Sequence, residues 1–259
     1  SIPRVTDSRY ARQNMSDRKR RRVESTAAAL QQKYGTRALH RGSDLAYTPL
    51  IPHIVTGFPA LDAMTGCQGV PLGALSLLSG RTTSGKLTVA YKLLANAQRA
   101  PSGEIAHTVG LIDLNRTANP DYLARCGVNL NTLLVARPPA GPQAVDVLGD
   151  LLQTQQLRAL LLDSLADLAA TPAALGRLDA LLSRLAPLLR GTCALIVLDD
   201  PHAPWLRWLN LDYSQRVRHA AALHIEMQRE RWLTRDGQIA GYQAQARLLK
   251  SRWVYALRS

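Results

Sequence analysis

The feature that most constrains the fold of this chain is a glycine-rich segment that directly follows a short apolar run. The run Leu75-Ser76-Leu77-Leu78 has the length and composition of a buried strand, and residues 85–98 have the pattern of a helix. Two glycines followed by lysine let backbone N–H groups wrap around phosphates, with a helix N-terminus behind them. The segment predicts a phosphate loop in an α/β fold, formed by Gly80, Arg81, Thr82, Thr83, Ser84, Gly85, Lys86, Leu87 and Thr88.

The residue after the lysine departs from the phosphate-loop pattern, which has a Mg²⁺-binding Ser or Thr there. This chain has Leu87, and Thr88 lies about 100° further round the helix, so its hydroxyl should point elsewhere. A second apolar run, at 160–162, ends in Asp163, the type of residue that holds Mg²⁺ from a neighbouring strand. Asp163 and Thr88 are the candidate metal ligands. The sequence supports binding of ATP more strongly than binding of Mg²⁺.

The core alternates apolar runs of strand length with amphipathic helical stretches. The predicted strands lie near 75–78, 109–112, 133–135, 159–162 and 194–198, and the predicted helices near 85–98, 118–126, 143–156 and 176–190. Apolar strands separated by helices predict a parallel sheet covered by helices on both faces. At the C-terminus, residues 221–233 and 241–253 resemble two strands joined at Asp236-Gly237, which predicts an antiparallel extension of the sheet.

The N-terminal part divides into three predicted segments. Residues 1–24 are predicted to be a flexible basic arm, residues 25–41 a short polar helix that ends near Gly35, and residues 42–52 a linker. Residues 53–259 form the predicted core. A short polar helix on a tether is expected to dock on its own core or on a neighbouring subunit, and is therefore the candidate assembly element.

The net charge of +13 is concentrated at the two ends of the chain. Residues 1–41 carry +8, residues 42–200 carry −1 and residues 201–259 carry +6. This distribution favours a polyanion partner, and DNA in particular, over a basic surface that serves solubility. The basic run, which is also compatible with a nuclear localisation signal, supplies the candidate DNA-binding residues Arg18, Lys19, Arg20, Arg21 and Arg22.

No apolar run reaches the roughly 18 residues that a membrane span needs, and the basic N-terminus lacks the apolar stretch of a signal peptide. A cytoplasmic, nucleoid-associated protein is expected, with a nuclear location as the alternative and with no membrane partner. The widely spaced Cys67, Cys126 and Cys193 suggest neither disulfides nor zinc, and are expected to be buried apolar residues.

Several motifs occur in the order typical of bacterial RecA-type recombinases. The entry to the phosphate loop (54–63 and 69–73), the segment 119–128 and the segment 248–252 each resemble that family. The resemblance implies that Tyr122 stacks on adenine and that Lys250 and Arg252 reach the nucleotide of an adjacent subunit. It also implies that the N-terminal helix docks on a neighbouring protomer.

Three departures from the RecA pattern affect hydrolysis. Asn115 stands where the family has a water-activating glutamate, and asparagine cannot accept a proton. Asp199 and Asp200 stand where the resemblance implies a glutamine that senses the terminal phosphate, and an acid there would repel a phosphate. Together with Leu87, they predict a degenerate ATPase with no confident catalytic residue, or an ATPase whose acid is Asp113 or a neighbour.

The two loops that face DNA in the resembling family also differ here. The first is expected to be missing, because residues 165–177 run almost directly into the next helix. The second, residues 202–215, interleaves aromatic residues with arginines and can either stack on bases or pack on protein. Its predicted DNA contacts, with two arginines that follow, are Trp205, Arg207, Trp208, Arg216 and Arg218.

These observations favour a RecA-like, DNA-binding accessory protein with weak or absent ATP hydrolysis. Short matches at 39–42 and 55–58 are similar to the ImuA branch, which is associated with mutagenic translesion polymerases. The expected partners are single-stranded DNA, a RecA protein or a translesion polymerase, and further copies of the chain. The alternatives are an active DNA-dependent ATPase and a structural protein that forms filaments or rings.

Overall fold

The computed structural model describes residues 7–35, 51–100, 102–139, 141–169, 171–189, 191–200, 213–235 and 238–253. The chain divides into two compact units, residues 1–50 and residues 51–259. The predicted linker falls mostly at positions 36–50, which lie outside the described residues.

The first unit contains one long helix, α1, Asp7–Tyr34. The helix ends before Gly35, as predicted, but it begins well inside the segment that the sequence assigned to a flexible arm. The predicted boundary at residue 24 is therefore corrected. The reason is that residues 7–34 contain neither proline nor glycine and are rich in good helix formers such as arginine, alanine and glutamine.

The second unit alternates strands and helices along the chain. Its first half contains β1 His53–Ile54, α2 Pro59–Met64, β2 Val70–Pro71, β3 Leu75–Ser79, α3 Lys86–Ala97, β4 Thr108–Asp113, α4 Pro120–Arg125 and β5 Leu133–Ala136. Its second half contains α5 Pro142–Gln153, β6 Leu157–Asp163, α6 Leu165–Leu168, α7 Pro172–Ser183, α8 Leu185–Leu189, β7 Ala194–Asp199, α9 Tyr213–Ala220, β8 Leu223–Arg235 and β9 Gln238–Ser251.

Seven strands form the central sheet in the order β5-β4-β6-β7-β3-β8-β9, which confirms the predicted α/β fold. The first six are parallel to their neighbours, and β9 is antiparallel to β8. The C-terminal extension is thus antiparallel only in its last strand, because β8 joins β3 in parallel. The predicted turn at 236–237 lies outside the described residues.

Two apolar clusters cover the two faces of the sheet. One packs α3 and α4 against the sheet through residues such as Leu94 and Leu161, and the other packs α5, α7 and α8 through residues such as Leu148 and Leu162. Cys67, Cys126 and Cys193 are free and buried, as expected. Within the described residues, no helix is both long and apolar enough to cross a membrane.

The packing predicts a large loss of stability when a central strand is truncated. Leu161 of β6 is fully buried, so Leu161→Ala should lower the free energy of unfolding by about 2–5 kcal/mol, because it removes contacts and leaves a cavity. Leu134 of edge strand β5 is about half exposed (53%), and Leu134→Ala should cost under about 1 kcal/mol. Urea denaturation of both variants checks this, and equal losses would contradict the described packing.

Candidate functional site

Polar residues collect at one edge of the sheet because neighbouring parallel strands end there. β3 ends in the phosphate loop, while β4, β6 and β7 end at Asp113, Asp163 and Asp199. The strand register pairs Asp113 with Asp163, and Ser79 with Asp199. Parallel strands point their carboxyl ends the same way, so this edge is where ligands bind in open α/β sheets.

Two glycines let the phosphate loop lie close to the β8–β9 pair. Gly80 has φ +154°, and a Cβ at this position would lie 2.3 Å from the carbonyl oxygen of Met227 on β8. Gly85 begins α3 in the left-handed conformation, and a Cβ there would lie 3.0 Å from the hydroxyl of Tyr242 on β9. A larger residue at position 80 would displace the loop or β8.

The lysine of the loop is buried and already paired. The Lys86 side chain is only 10% exposed, and its ammonium donates to the carbonyl oxygen of Gly80 at 2.7 Å. It also donates to Oδ1 of Asp200 at 2.5 Å. The lysine that phosphate loops direct at outer phosphates is thus held by a carboxylate that follows directly after β7.

The two residues after the lysine do not present a hydroxyl to the phosphate edge. Leu87 packs against the apolar cluster that contains α3. The Thr88 hydroxyl lies 2.6 Å from the hydroxyl of Tyr122 and 3.1 Å from that of Tyr242. Tyr122 comes from α4, and its ring packs on the buried ring of Tyr91 with 5.7 Å between the centroids.

The pKa of Asp163 is strongly shifted by its surroundings at this edge. Its pKa is raised to about 6, mainly by burial; the charge of Lys86 opposes this rise, and the charges of Asp113, Asp200 and Asp167 add to it. Burial disfavours the ionised carboxylate because it removes water from the charge.

Asp113 is held by partners from the segments that follow β4 and β5. Its side chain is 1% exposed and accepts a hydrogen bond from Nε of Arg137 at 2.9 Å. It also accepts backbone hydrogen bonds from Thr117 at 2.9 Å and Ala118 at 3.3 Å. These bonds give Asp113 a structural role, because they tie the chain after β4 to the strand end.

Asn115 uses its amide as a hydrogen-bond donor. Nδ2 of Asn115 lies 2.6 Å from Oδ2 of Asp167 on α6, and the hydroxyl of Ser164 donates to the same oxygen. The position where the resemblance implies a proton-accepting glutamate therefore carries an amide that positions a different carboxylate.

The described residues do not form a site that fits Mg²⁺. Leu87 is apolar, the Thr88 hydroxyl contacts two tyrosines, and the pKa of Asp163 is raised. Within the described ranges, no group of three or more His, Cys, Asp or Glu side chains could hold a metal ion.

Two cavities adjoin the phosphate loop. One, of about 560 Å³, lies between residues 80–84 and residues 226–229 of β8, and the exposed Arg229 donates to the Thr83 hydroxyl at 3.0 Å across it. The other, of about 730 Å³, is mostly apolar and includes Phe58, Met64, Thr88, Tyr122 and Tyr242 in its lining. Both volumes are in the range of small-molecule sites.

Lys250 and Arg252, the residues implied to reach the nucleotide of an adjacent subunit, lie at and just after the end of β9. The ammonium of Lys250 donates to the carbonyl oxygens of Arg218 and His219, each at 2.9 Å, at the C-terminus of α9. Burial and the charge of Arg252 lower the pKa of Lys250. Arg252 is exposed, and the contact of both residues with another subunit stays a prediction.

The candidate DNA-binding residues are distributed over separate parts of the chain. All five residues of the basic run belong to α1, and Lys19, Arg21 and Arg22 are exposed. In α9, Arg216 forms an ion pair with Asp179, and Arg218 lies 3.9 Å from Asp199. Trp205, Arg207 and Trp208 fall at positions 201–212, outside the described residues.

Three residues at the site were missed by the sequence analysis. Arg229 belongs to β8 and Tyr242 to β9, and the distance of these strands from the loop in the sequence gave no signal that they are close to it. Asp167 had a weak signal, because a residue four positions after Asp163 can return to the same end of the sheet once a short helix forms.

Comparison with known proteins identifies a matching family and similar chains. Residues 21–184 match the family described as RecA N-terminal domain. Protein RecA of Roseiflexus sp. (strain RS-1) is 34% identical over 154 residues, which are 60% of this chain and 42% of that protein. Protein RecA of Paenarthrobacter aurescens (strain TC1) is 37% identical over 146 residues, 56% of this chain and 40% of that protein.

These alignments span about two fifths of the length of the relatives. The family match includes the phosphate loop, Asn115 and Asp163, whereas Asp200 and the β8–β9 pair lie beyond its end at residue 184.

The raised pKa of Asp163 predicts that its contribution to the free energy of unfolding depends on pH. Because the pKa of the folded state, about 6, is higher than the ordinary value of 3.8, the folded state binds its proton more tightly than the unfolded state. The favourable contribution of Asp163 is therefore complete below about pH 4 and is lost as the pH rises through about 6.

Urea denaturation of the wild type and Asp163→Asn at pH 4, 5, 6 and 7 checks this prediction. The wild type should lose about 1–3 kcal/mol relative to the variant between pH 4 and 7. Asp146→Asn, at a half-exposed ion pair with Arg177, is the control and should show no such trend. A constant difference for Asp163→Asn, or one of opposite slope, would contradict the prediction.

Proposed function

The chain belongs to the RecA family, and on this premise we propose that it is a DNA-binding accessory protein of DNA repair or recombination. In this proposal it binds an adenine nucleotide and hydrolyses it weakly or not at all. A role in mutagenic translesion synthesis, beside a translesion polymerase or a RecA protein, is the narrower form of the proposal.

The observation that carries the proposal is the hydrogen bond from Asn115 to Asp167. A general base must accept a proton from the attacking water, and an amide nitrogen that donates to a carboxylate cannot do so. Loss of a general base typically lowers the rate about 10²–10⁴-fold. The substitution therefore supports slow hydrolysis even where a nucleotide binds.

The phosphate loop and its neighbouring cavity support nucleotide binding. The loop keeps its two glycines and the buried Lys86, which are the elements that contact phosphates. Tyr122, the residue implied to stack on adenine, contributes to the apolar cavity of about 730 Å³ beside the loop. Tyr242 also borders this cavity and holds the Thr88 hydroxyl beside Tyr122, so we propose that both tyrosines form the base-binding wall.

An active DNA-dependent ATPase is the second candidate function. The observation that favours it is the position of Asp167, which is a better candidate for the base than Asp113. Asp113 is a poor base because Arg137 and two backbone N–H groups already use its oxygens. Asp167, by contrast, brings a carboxylate to the amide of Asn115. Should turnover be found, Asp167 is the first carboxylate to replace.

The proposal assigns DNA binding to the basic ends of the chain. The exposed cations on α1 can contact phosphates without reading bases. Self-association through α1, or through Lys250 and Arg252, is part of the same proposal, since a head-to-tail contact between identical chains need not close.

The proposal predicts that ATP turnover stays well below about 1 s⁻¹, a rate typical of slow enzymes, with and without single-stranded DNA. Asn115→Glu should not restore full activity, because Leu87 still provides no ligand for the metal. Phosphate release from the wild type, Asn115→Glu and Lys86→Ala is the measurement, with Lys86→Ala giving the background. Wild-type turnover above about 1 s⁻¹ that Lys86→Ala abolishes would favour the active ATPase.

DNA binding should depend steeply on salt, and the basic run should account for part of that dependence. Replacing Arg18, Lys19, Arg20, Arg21 and Arg22 by glutamine removes five charges and retains a good helix former at each position. Affinity for single-stranded DNA should fall similarly for all sequences, and the log–log salt slope should decrease by up to about 3.5.

Fluorescence anisotropy at several salt concentrations measures both quantities, and circular dichroism verifies the helix. Arg125→Gln, at an exposed position of α4, is the single-charge control and should retain wild-type affinity. Wild-type affinity and slope in the five-fold variant would exclude the basic run as a DNA contact.

A further inference from the structure

The contact between Lys86 and Asp200 joins the phosphate loop to the end of β7. Asp200 is the residue directly after β7, and Lys86 is the first residue of α3. Their 2.5 Å contact joins a lysine side chain that is 10% exposed to a carboxylate side chain that is 43% exposed. The aspartate therefore approaches the buried ammonium from the solvent side.

A carboxylate in this place resembles a bound phosphate oxygen in charge and in hydrogen bonding. Both are anionic acceptors, and charge-assisted hydrogen bonds from an ammonium to either have similar lengths. In phosphate loops the lysine contacts the β and γ phosphates, whereas the backbone N–H groups of the loop hold the inner phosphates. The carboxylate thus competes for the part of the site that a terminal phosphate would use.

The charges near Lys86 determine how strongly a phosphate can compete with Asp200 for its ammonium. Asp113, Asp163 and Asp199 are the last residues of β4, β6 and β7, and Asp167 lies on the short helix α6 that follows β6. Arg137 is paired with Asp113, so it does not offset the charge of Asp163 or Asp200 at the loop. Arg218 lies 3.9 Å from Asp199, and Arg229 bonds to Thr83 on another side of the loop. The repulsion is therefore local to Lys86, where a terminal phosphate would lie next to the Asp200 carboxylate.

We propose that Asp200 makes this site selective for nucleoside diphosphates over nucleoside triphosphates. This inference rests on the proposed nucleotide binding and specifies its ligand class. Lys86 has three N–H donors, of which one bonds to Gly80 and one to Asp200, so the third can bind the β phosphate of a diphosphate while the pair with Asp200 stays in place. A triphosphate must displace the carboxylate from Lys86 and hold its last phosphate beside it.

The test compares ADP and ATP binding by isothermal titration calorimetry in EDTA, where no divalent ion neutralises the phosphates. The wild-type chain should bind ADP at least about tenfold more tightly than ATP, which corresponds to about 1.4 kcal/mol. Asp200→Asn keeps the shape of the side chain and removes its charge, and should raise the affinity for ATP about tenfold with a smaller effect on ADP. Asp146→Asn makes the same change of net charge at an ion pair between α5 and α7 and should alter neither affinity.

The outcomes separate this inference from the function on which it rests. Equal affinities for ADP and ATP in the wild type, unchanged by Asp200→Asn, would overturn the selectivity and leave nucleotide binding intact. An equal gain for both nucleotides in Asp200→Asn would also overturn it, because the carboxylate would then repel the whole ligand. Binding of neither nucleotide to either protein, with unchanged thermal unfolding midpoints, would overturn both proposals.

Discussion

The parallel register of β4, β6, β7 and β3 determines the chemistry of this protein, because it gathers the acidic strand ends at one edge. Asp113 pairs in register with Asp163, and Asp199 with the last residue of β3. Carboxylates placed close together in a partly buried edge must be protonated, paired or repelled. Asp113 is paired with Arg137, Asp163 has a raised pKa, and Asp200 pairs with Lys86. The two ion pairs and the raised pKa of Asp163 thus reduce the net negative charge of this edge without a bound ligand.

The departures from the RecA pattern come from separate parts of the fold. In the proposed function, Leu87 on α3, Asn115 after β4 and Asp200 after β7 each remove a different requirement of hydrolysis: a metal ligand, a proton acceptor and a free lysine. Restoring one of them leaves the other two changed. Under this proposal, a bound nucleotide is better suited to hold a conformation than to react.

The β8–β9 pair forms one wall of the phosphate loop, although it lies more than 130 residues from it in the sequence. Gly80 lies against the backbone of β8, Gly85 lies against Tyr242 of β9, and Arg229 bonds to Thr83. His224 of β8 also contacts the Ser79 hydroxyl at 2.8 Å, and burial lowers the pKa of His224 to about 4, so the ring stays neutral at the base of the loop. A change in the position of this pair would therefore alter the shape of the loop directly.

The sequence by itself determined the phosphate loop, the alternation of strands and helices and the acidic strand end at Asp163, because each depends on local spacing and hydrophobic periodicity. It placed the end of α1 at Gly35 but not its start, since the polar residues of this helix show no apolar periodicity that would distinguish it from a flexible basic arm. It predicted two C-terminal strands but not that β8 joins β3 in parallel. Only the tertiary structure decided which side chains meet: Asp200 on Lys86, Asp167 on Asn115 and Tyr242 beside Tyr122. The physical reason is that these contacts join elements far apart in the chain, and their geometry follows from strand order and register, which local sequence patterns do not specify.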